Sequence, residues 1–176
     1  MARPSRPVPP LDPAALERLA LRYVERFATT RGRLRDYLQR KIRERGWEHE
    51  ASPDPHAIAE RMAELGYLDD AAWGDMKAAS MQRRGLGGRR VSQALRHAGL
   101  EEADAEAVRP AVAARAWDSA LAYARRRRLG PYAAEVPDRV GREKAIGALL
   151  RAGHGIDTAR AIVAMAPGDD PEAGRE

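Results

Sequence analysis

The sequence predicts an all-α protein of three tandem three-helix units, stacked into an elongated, curved modular chain. Three observations carry that reading. Apolar residues recur at the i, i+3, i+4, i+7 spacing of a helix with one buried stripe, and no comparable window alternates with period two. The glycines Gly46, Gly99 and Gly153 each stop a helix and each follow a large apolar residue (Ile42, Leu95 or Leu149) by four positions. The motif thus returns about every fifty residues, the mark of a repeat whose units share apolar surface with their neighbours.

The first helix is expected from about Pro13 to Ala28, on the stripe Leu16, Leu19, Ala20, Tyr23, Val24 and Phe27. Thr29 and Thr30 offer a hydroxyl cap to a second, whose stripe is Leu34, Tyr37, Leu38 and Ile42 and which stops at Gly46. Asp54-Pro55 opens a third, with Ile58, Met62 and Leu65 inside and Gly66 as its stop. Leu68-Asp69-Asp70 then gives a hydrophobic residue followed by a carboxylate cap, ahead of a helix with Ala72, Trp73, Met76, Ala79 and Ser80 on one face. After the turn Gly85-Leu86-Gly87-Gly88, a fifth helix carries Val91, Ala94, Leu95 and Ala98. Leu100 to Val112 forms the sixth, which Pro110 should kink or end. Ala116, Trp117, Ala120, Leu121 and Ala124 line a seventh, and a Gly-Pro turn and Pro137 break the chain after it. Ala145, Ile146, Leu149 and Leu150 line the eighth, and Ile156, Ala159, Ile162 and Val163 the last. The resulting boundaries are a flexible arm over 1–13, units over 14–66, 67–112 and 113–166, and a disordered tail over 167–176.

Net charge is +5 and almost all the positive charge is arginine, since Lys41, Lys77 and Lys144 are the only lysines. Guanidinium groups pair bidentately with phosphate or carboxylate, so an acidic partner is expected, either nucleic acid or an acidic protein surface. The absence of cysteine excludes a disulfide framework, a thiolate zinc site and thiol catalysis, and fits a reducing cytoplasm. Prolines follow Arg3 and Arg6 where a signal peptide needs an apolar run, and no stretch of about eighteen apolar residues offers a membrane span. An elongated cytoplasmic monomer is the expectation.

The motifs exclude several chemistries. Asp69-Asp70 stands just ahead of an apolar-periodic stretch, which favours helix capping over metal binding. His49, His56, His97 and His154 fall at no metal-ligand spacing. No serine sits in a Gly-x-Ser-x-Gly elbow, and the glycines at 85–88 lack the lysine and preceding strand of a phosphate loop. Neither catalytic residues, a cofactor nor a metal are expected.

Arginine clusters carry the remaining signal. Arg33, Arg40 and Arg43 project opposite the Leu34-Leu38-Ile42 stripe. Arg83, Arg84, Arg89 and Arg90 flank the glycine turn, where small residues let a partner approach the backbone. Arg125, Arg126, Arg127 and Arg128 close a helix in the third unit. Any one cluster could be a solvated face or a helix-dipole partner, but one per unit suits an extended acidic or polyanionic partner. The aromatics sit mostly on or beside apolar stripes, which is core behaviour and leaves no interleaved stacking platform for single strands.

Leu65-Gly66-Tyr67-Leu68-Asp69-Asp70-Ala71-Ala72-Trp73, followed by Arg83-Arg84-Gly85 and Arg90-Val91-x-x-Ala94-Leu95-x-x-Ala98-Gly99, closely resembles the central signature of RecX proteins. Ala20-Leu21-x-Tyr23-Val24 and Arg31-x-Arg33-Leu34-x-x-Tyr37-Leu38-x-x-Lys41-Ile42-x-x-Arg45-Gly46 look like that family's first unit, with Thr30 where a serine is more usual. The resemblance spans roughly Leu16 to Val163 and is weakest in the third unit, where His154 stands in place of an aromatic. It implies a non-enzymatic regulator that lies in the groove of the RecA–DNA filament and inhibits its ATPase, strand-exchange and coprotease activities, restraining recombinational repair and the SOS response. Single- or double-stranded DNA is a further partner in that picture. The rival reading is a helix-turn-helix-like nucleic-acid module, but the face from His56 to Leu65 presents Glu60, Arg61 and Glu64, and acidic side chains disfavour groove insertion.

Overall fold

The structure, a computed structural model, describes residues 9–173. Among these it is all-α: α1 Pro13–Arg26, α2 Arg31–Arg45, α3 Pro55–Glu64, α4 Asp70–Arg83, α5 Gly88–His97, α6 Glu102–Ala114, α7 Ala116–Arg127, a 3-10 turn Gly130–Tyr132, α8 Arg139–Arg151 and α9 Ile156–Ala164. The sole extended pairing among the described residues is an isolated parallel bridge between Leu11 and Trp47. Contacts divide the chain into two compact units, one of residues 9–73 with 98–100 and the other of 74–97 with 101–173.

The first unit packs α1, α2 and α3 around Leu16, Ala20, Leu34, Leu38, Ile58, Ala59 and Met62. Its helices start where side-chain oxygens can take up orphan N–H groups. Asp12 accepts from Ala15 N at 2.6 Å, Thr30 from Arg33 N at 3.2 Å, and Asp54 from Ala57 N at 2.9 Å. Thr30 does more than cap, because its hydroxyl donates to Ala98 O at 2.5 Å and is fully buried. At Gly32, two residues on, an added Cβ would stand 2.6 Å from Gly99 Cα, so only glycine allows that backbone approach.

The second unit packs α7, α8 and α9 around Ala120, Leu121, Ala124, Ala145, Leu149, Ile162 and Val163. Asp138 caps α8 by accepting from Gly141 N at 2.6 Å. The turn before α5 is stitched to the end of α8: Gly87 N donates to Ala152 O at 2.9 Å and Arg89 N to Gly153 O at 3.1 Å.

Several expectations are corrected. Leu11, assigned to a flexible arm, is fully buried in the first core; residues 1–8 of that arm lie outside the described residues. Leu65, Met76, Phe27, Tyr67 and Ile156, expected on buried stripes, are exposed. Leu65 falls past the end of α3 as its C-cap, where the helical period no longer aims it inward. In α4 the buried positions are Trp73, Ala78 and Gln82, because Trp73 belongs to the first unit and the later residues to the second, so one continuous stripe is not required. Asp69 is the cap of α4, accepting from Ala72 N at 2.8 Å, whereas Asp70 is buried and accepts from the backbone and guanidinium of Arg31 at 3.0 and 3.4 Å. α6 runs four residues past Pro110 to Ala114. Of the expected disordered tail, residues 167–173 hold turns, with Gly168 N donating to Pro131 O at 2.9 Å, and 174–176 lie outside the described residues.

Candidate partner interface

The Gly85–Gly88 turn is held between two elements of its own unit. On one side α7 approaches so closely that a Cβ at Gly85 would meet Tyr123 N at 2.6 Å. On the other, His154 is buried and its Nε2 lies 3.0 Å from Gly85 O. A carbonyl only accepts, so Nε2 carries the proton and donates. Burial holds the His154 pKa below the usual imidazole value, with the Gly85 bond opposing in part. The turn is thereby fixed in position and delivers Arg89 and Arg90 onto the first turn of α5.

There the arginines gather. Arg90 Nε donates to Arg151 O at 3.0 Å, and its Nη1 donates to Gln93 Oε1 at 3.3 Å. The cleft they border has a volume of about 750 Å³ and is walled by Arg89, Arg90, Gln93, Arg96 and Arg151. A second cleft of about 600 Å³ shares Arg90, Gln93 and Arg151 and adds Arg127, His97 and Tyr123. Together they form one groove with five arginines and no lining carboxylate. Like charges so placed repel one another, and an anion entering the groove relieves that repulsion as well as gaining hydrogen bonds.

Of the arginines expected to meet a partner, the structure brings Arg89, Arg90 and Arg127 into this groove. Arg126 reaches the back of the Gly85 turn, its Nη2 placed 2.9 Å from where a Cβ would sit. Arg84 is exposed beside the turn. Arg83 borders a separate cleft with Arg115 and Asp118. Arg125 lies over the Tyr132 ring at 5.1 Å, in a cleft that also holds Asp170 and Glu172, so acidic groups offset it. Arg128 is the left-handed residue that ends α7. In the first unit Arg33 covers the Trp73 ring at 4.8 Å and Arg40 pairs with Glu44 at 3.5 Å, while Arg43 stands exposed. The Glu44 carboxyl is held below its ordinary range chiefly by the hydrogen bond from Lys41.

Sequence reasoning missed Arg96 and Arg151. A signal for Arg96 was present, since Arg89, Gln93 and Arg96 follow i, i+4, i+7 and share one face of α5. Arg151 joins only through the docking of α8, which no local pattern reveals. Among the described residues no group of three His, Asp or Glu could hold a metal ion, and no helix is long and apolar enough to cross a membrane.

No family model matches the chain. Curated sequences do: the chain is 33% identical over 168 residues to a regulatory protein RecX of Myxococcus xanthus, an alignment covering 89% of this chain and 88% of the relative. The chain belongs to the RecX family. A regulatory protein RecX of Agrobacterium fabrum is 29% identical over 150 residues, covering 83% of this chain and 80% of that one. The crystal structure of RecX from Lactobacillus salivarius superposes with a TM-score of 0.65 at 18% identity, covering 85% of this chain and 93% of that one, and so shares its fold. Both sequence relatives are named regulatory proteins, which makes this RecX chain a regulatory protein by kinship and places its interest in surfaces that bind, the arginine groove foremost.

Proposed function

We propose that this chain is a non-enzymatic regulator that binds the RecA–DNA filament in its groove and inhibits ATP hydrolysis, strand exchange and coprotease activity, acting as a cytoplasmic monomer. The observation that carries the reading is the carboxylate-free groove of Arg89, Arg90, Arg96, Arg127 and Arg151, joined to RecX kinship. An arginine groove fixed by a rigid turn fits acidic filament surface or phosphate, and binding there shifts the filament among its states by the difference in affinity for them. The division into units over 14–66, 67–112 and 113–166 is part of the proposal, supported by Gly46, Gly99 and Gly153 all holding positive φ (82°, 72° and 96°) at the ends of their helices.

The helix-turn-helix alternative finds little support on α3. Arg61 pairs with Glu17, and Glu60 pairs with Arg31 at 3.3 Å, so the side chains that would face bases are engaged within the protein.

The test is ATP hydrolysis by a preformed RecA filament on single-stranded DNA while the chain is titrated in at fixed salt. Inhibition that is lost on reversing Arg89, Arg90 and Arg151 to Glu supports the reading. Unimpaired hydrolysis, with the chain bound to bare DNA, would transfer the function to nucleic-acid binding alone.

A further inference from the structure

The middle helices of the three units, α2, α5 and α8, are joined by one recurring contact. The N-terminus of α2 sits on the segment after α5, where Thr30 Oγ1 donates to Ala98 O and Gly32 abuts Gly99. The N-terminus of α5 sits on the end of α8, where Gly87 and Arg89 N donate to Ala152 and Gly153 O, and a Cβ at Gly87 would stand 2.4 Å from Gly153. In both cases a glycine-bearing opening turn supplies donors to the carbonyls that a helix end leaves unsatisfied.

Two ends of this series are left over. The acceptor end of α2, at Gly46, has no middle helix on it. Its carbonyl instead accepts from Leu11 N at 3.0 Å, Glu48 N donates to Leu11 O at 2.9 Å, and Arg45 grips Pro9 O through Nε and Nη2 at 3.0 and 2.7 Å. The donor end of α8 carries Gly141 in its first turn, and its printed bonds are all local, from Gly141 and Arg142 to Asp138 and Pro137. Val136 and Val140 beside it are 64% and 45% exposed. The ends also differ in charge: Arg43 and Arg45 flank Gly46, and Glu135 and Asp138 flank the α8 turn.

We infer that residues 9–11 are a terminal cap that occupies the docking place of a further unit, and that without the cap the Gly46 end accepts the α8 opening turn of a second copy of this chain. The contact is heterologous, since each copy offers two different surfaces, so it propagates head to tail instead of closing as a dimer. Repeat stacks need such caps because an uncovered end is a template for the next unit. The inference rests on the three-unit reading above but not on the filament as partner.

Sedimentation velocity tests it without any partner, so its failure leaves the filament reading untouched. A chain beginning at Asp12 keeps the α1 cap; its weight-average mass should rise at least about twofold with concentration, while the full chain stays monomeric. Adding Val140→Glu to the shortened chain should return it to monomer. A shortened chain that is helical and monomeric throughout would overturn the inference, as would association that survives Val140→Glu. Should the shortened chain unfold, the full-length Leu11→Ala chain decides. There a frayed cap, seen as fast exchange of the residue 11 amide, must bring a concentration-dependent mass, and fast exchange with a constant monomer mass overturns the inference equally.

Discussion

Gly87→Ala removes no side chain and adds one methyl group, yet the geometry makes it a severe change. The new Cβ would lie 2.4 Å from both C and O of Gly153 and 2.5 Å from His154 N, all backbone atoms that cannot rotate away. Overpacking of this kind costs about 1–3 kcal/mol. The displacement needed to relieve it also breaks the bonds from Gly87 N and Arg89 N to Ala152 and Gly153, each contributing about 1 kcal/mol. The sum, about 3–5 kcal/mol, is a large part of the 5–15 kcal/mol typical of a domain. Gly88→Ala is the matched control, because its Cβ would meet only Val112 Cγ1 at 3.4 Å, and alanine is the better helix former by about 1 kcal/mol. Urea unfolding followed by helical circular dichroism should therefore show a large drop in midpoint for Gly87→Ala and none for Gly88→Ala. Equal midpoints for Gly87→Ala and the parent chain would refute the argument that this turn is locked by backbone contact.

Asp70→Ala should destabilise by about 3–5 kcal/mol, since it leaves Arg31 without its buried carboxylate, whereas Asp69→Ala should cost about 1 kcal/mol as a lost cap; urea midpoints compare the two. Leu11→Ala should lose about 2–5 kcal/mol in the same assay, because its side chain is fully buried. His154 has a folded pKa depressed below its unfolded value of about 6.5, so its contribution to stability is intact above that value and falls away as pH drops through the folded pKa. His154→Gln keeps a donor toward Gly85 O without the titration, and its melting temperature should therefore decline less between neutral and mildly acid pH. Charge reversal at Arg89 and Arg90 should weaken filament binding and flatten its salt dependence, while reversal at Arg125, already offset by Asp170 and Glu172, should change both little.

Helix placement was legible because it depends on local rules. The caps at Thr30, Asp54 and Asp69 and the stops at Gly46, Gly99 and Gly153 stand where side-chain chemistry and apolar period put them. What failed depends on packing between elements. Leu11 precedes Asp12-Pro13 and lacks any periodic neighbour, so nothing local reveals that it fills the first core and pairs with Trp47. Met76 and Ala78 cannot be told apart by hydrophobicity, and only the division of α4 between two units decides that Ala78 is the buried one. Asp70 read as a cap because its partner Arg31 lies thirty-nine positions away. The arginine groove was half visible: the run at 89–90 and the run at 125–128 were evident, but their convergence on Arg151 is a property of the α5–α8 docking.

That docking ties the groove to the fold. The hydrogen bonds that seat α5 on α8 come from Gly87 and Arg89, the same stretch that presents Arg89 and Arg90 to solvent, and Arg90 itself reaches back to Arg151 O. A change in the turn must therefore alter stability and binding together, whereas a change at the guanidinium tips should alter binding alone. Arg96→Ala and Gly87→Ala separate the two links. Arg96 lines the groove with an exposed side chain, and its truncation should leave the urea midpoint within about 0.5 kcal/mol of the parent while weakening inhibition. If Arg96→Ala instead lowered stability as Gly87→Ala does, the arginines would be part of the scaffold, and the absence of carboxylates from the groove would need another physical cause.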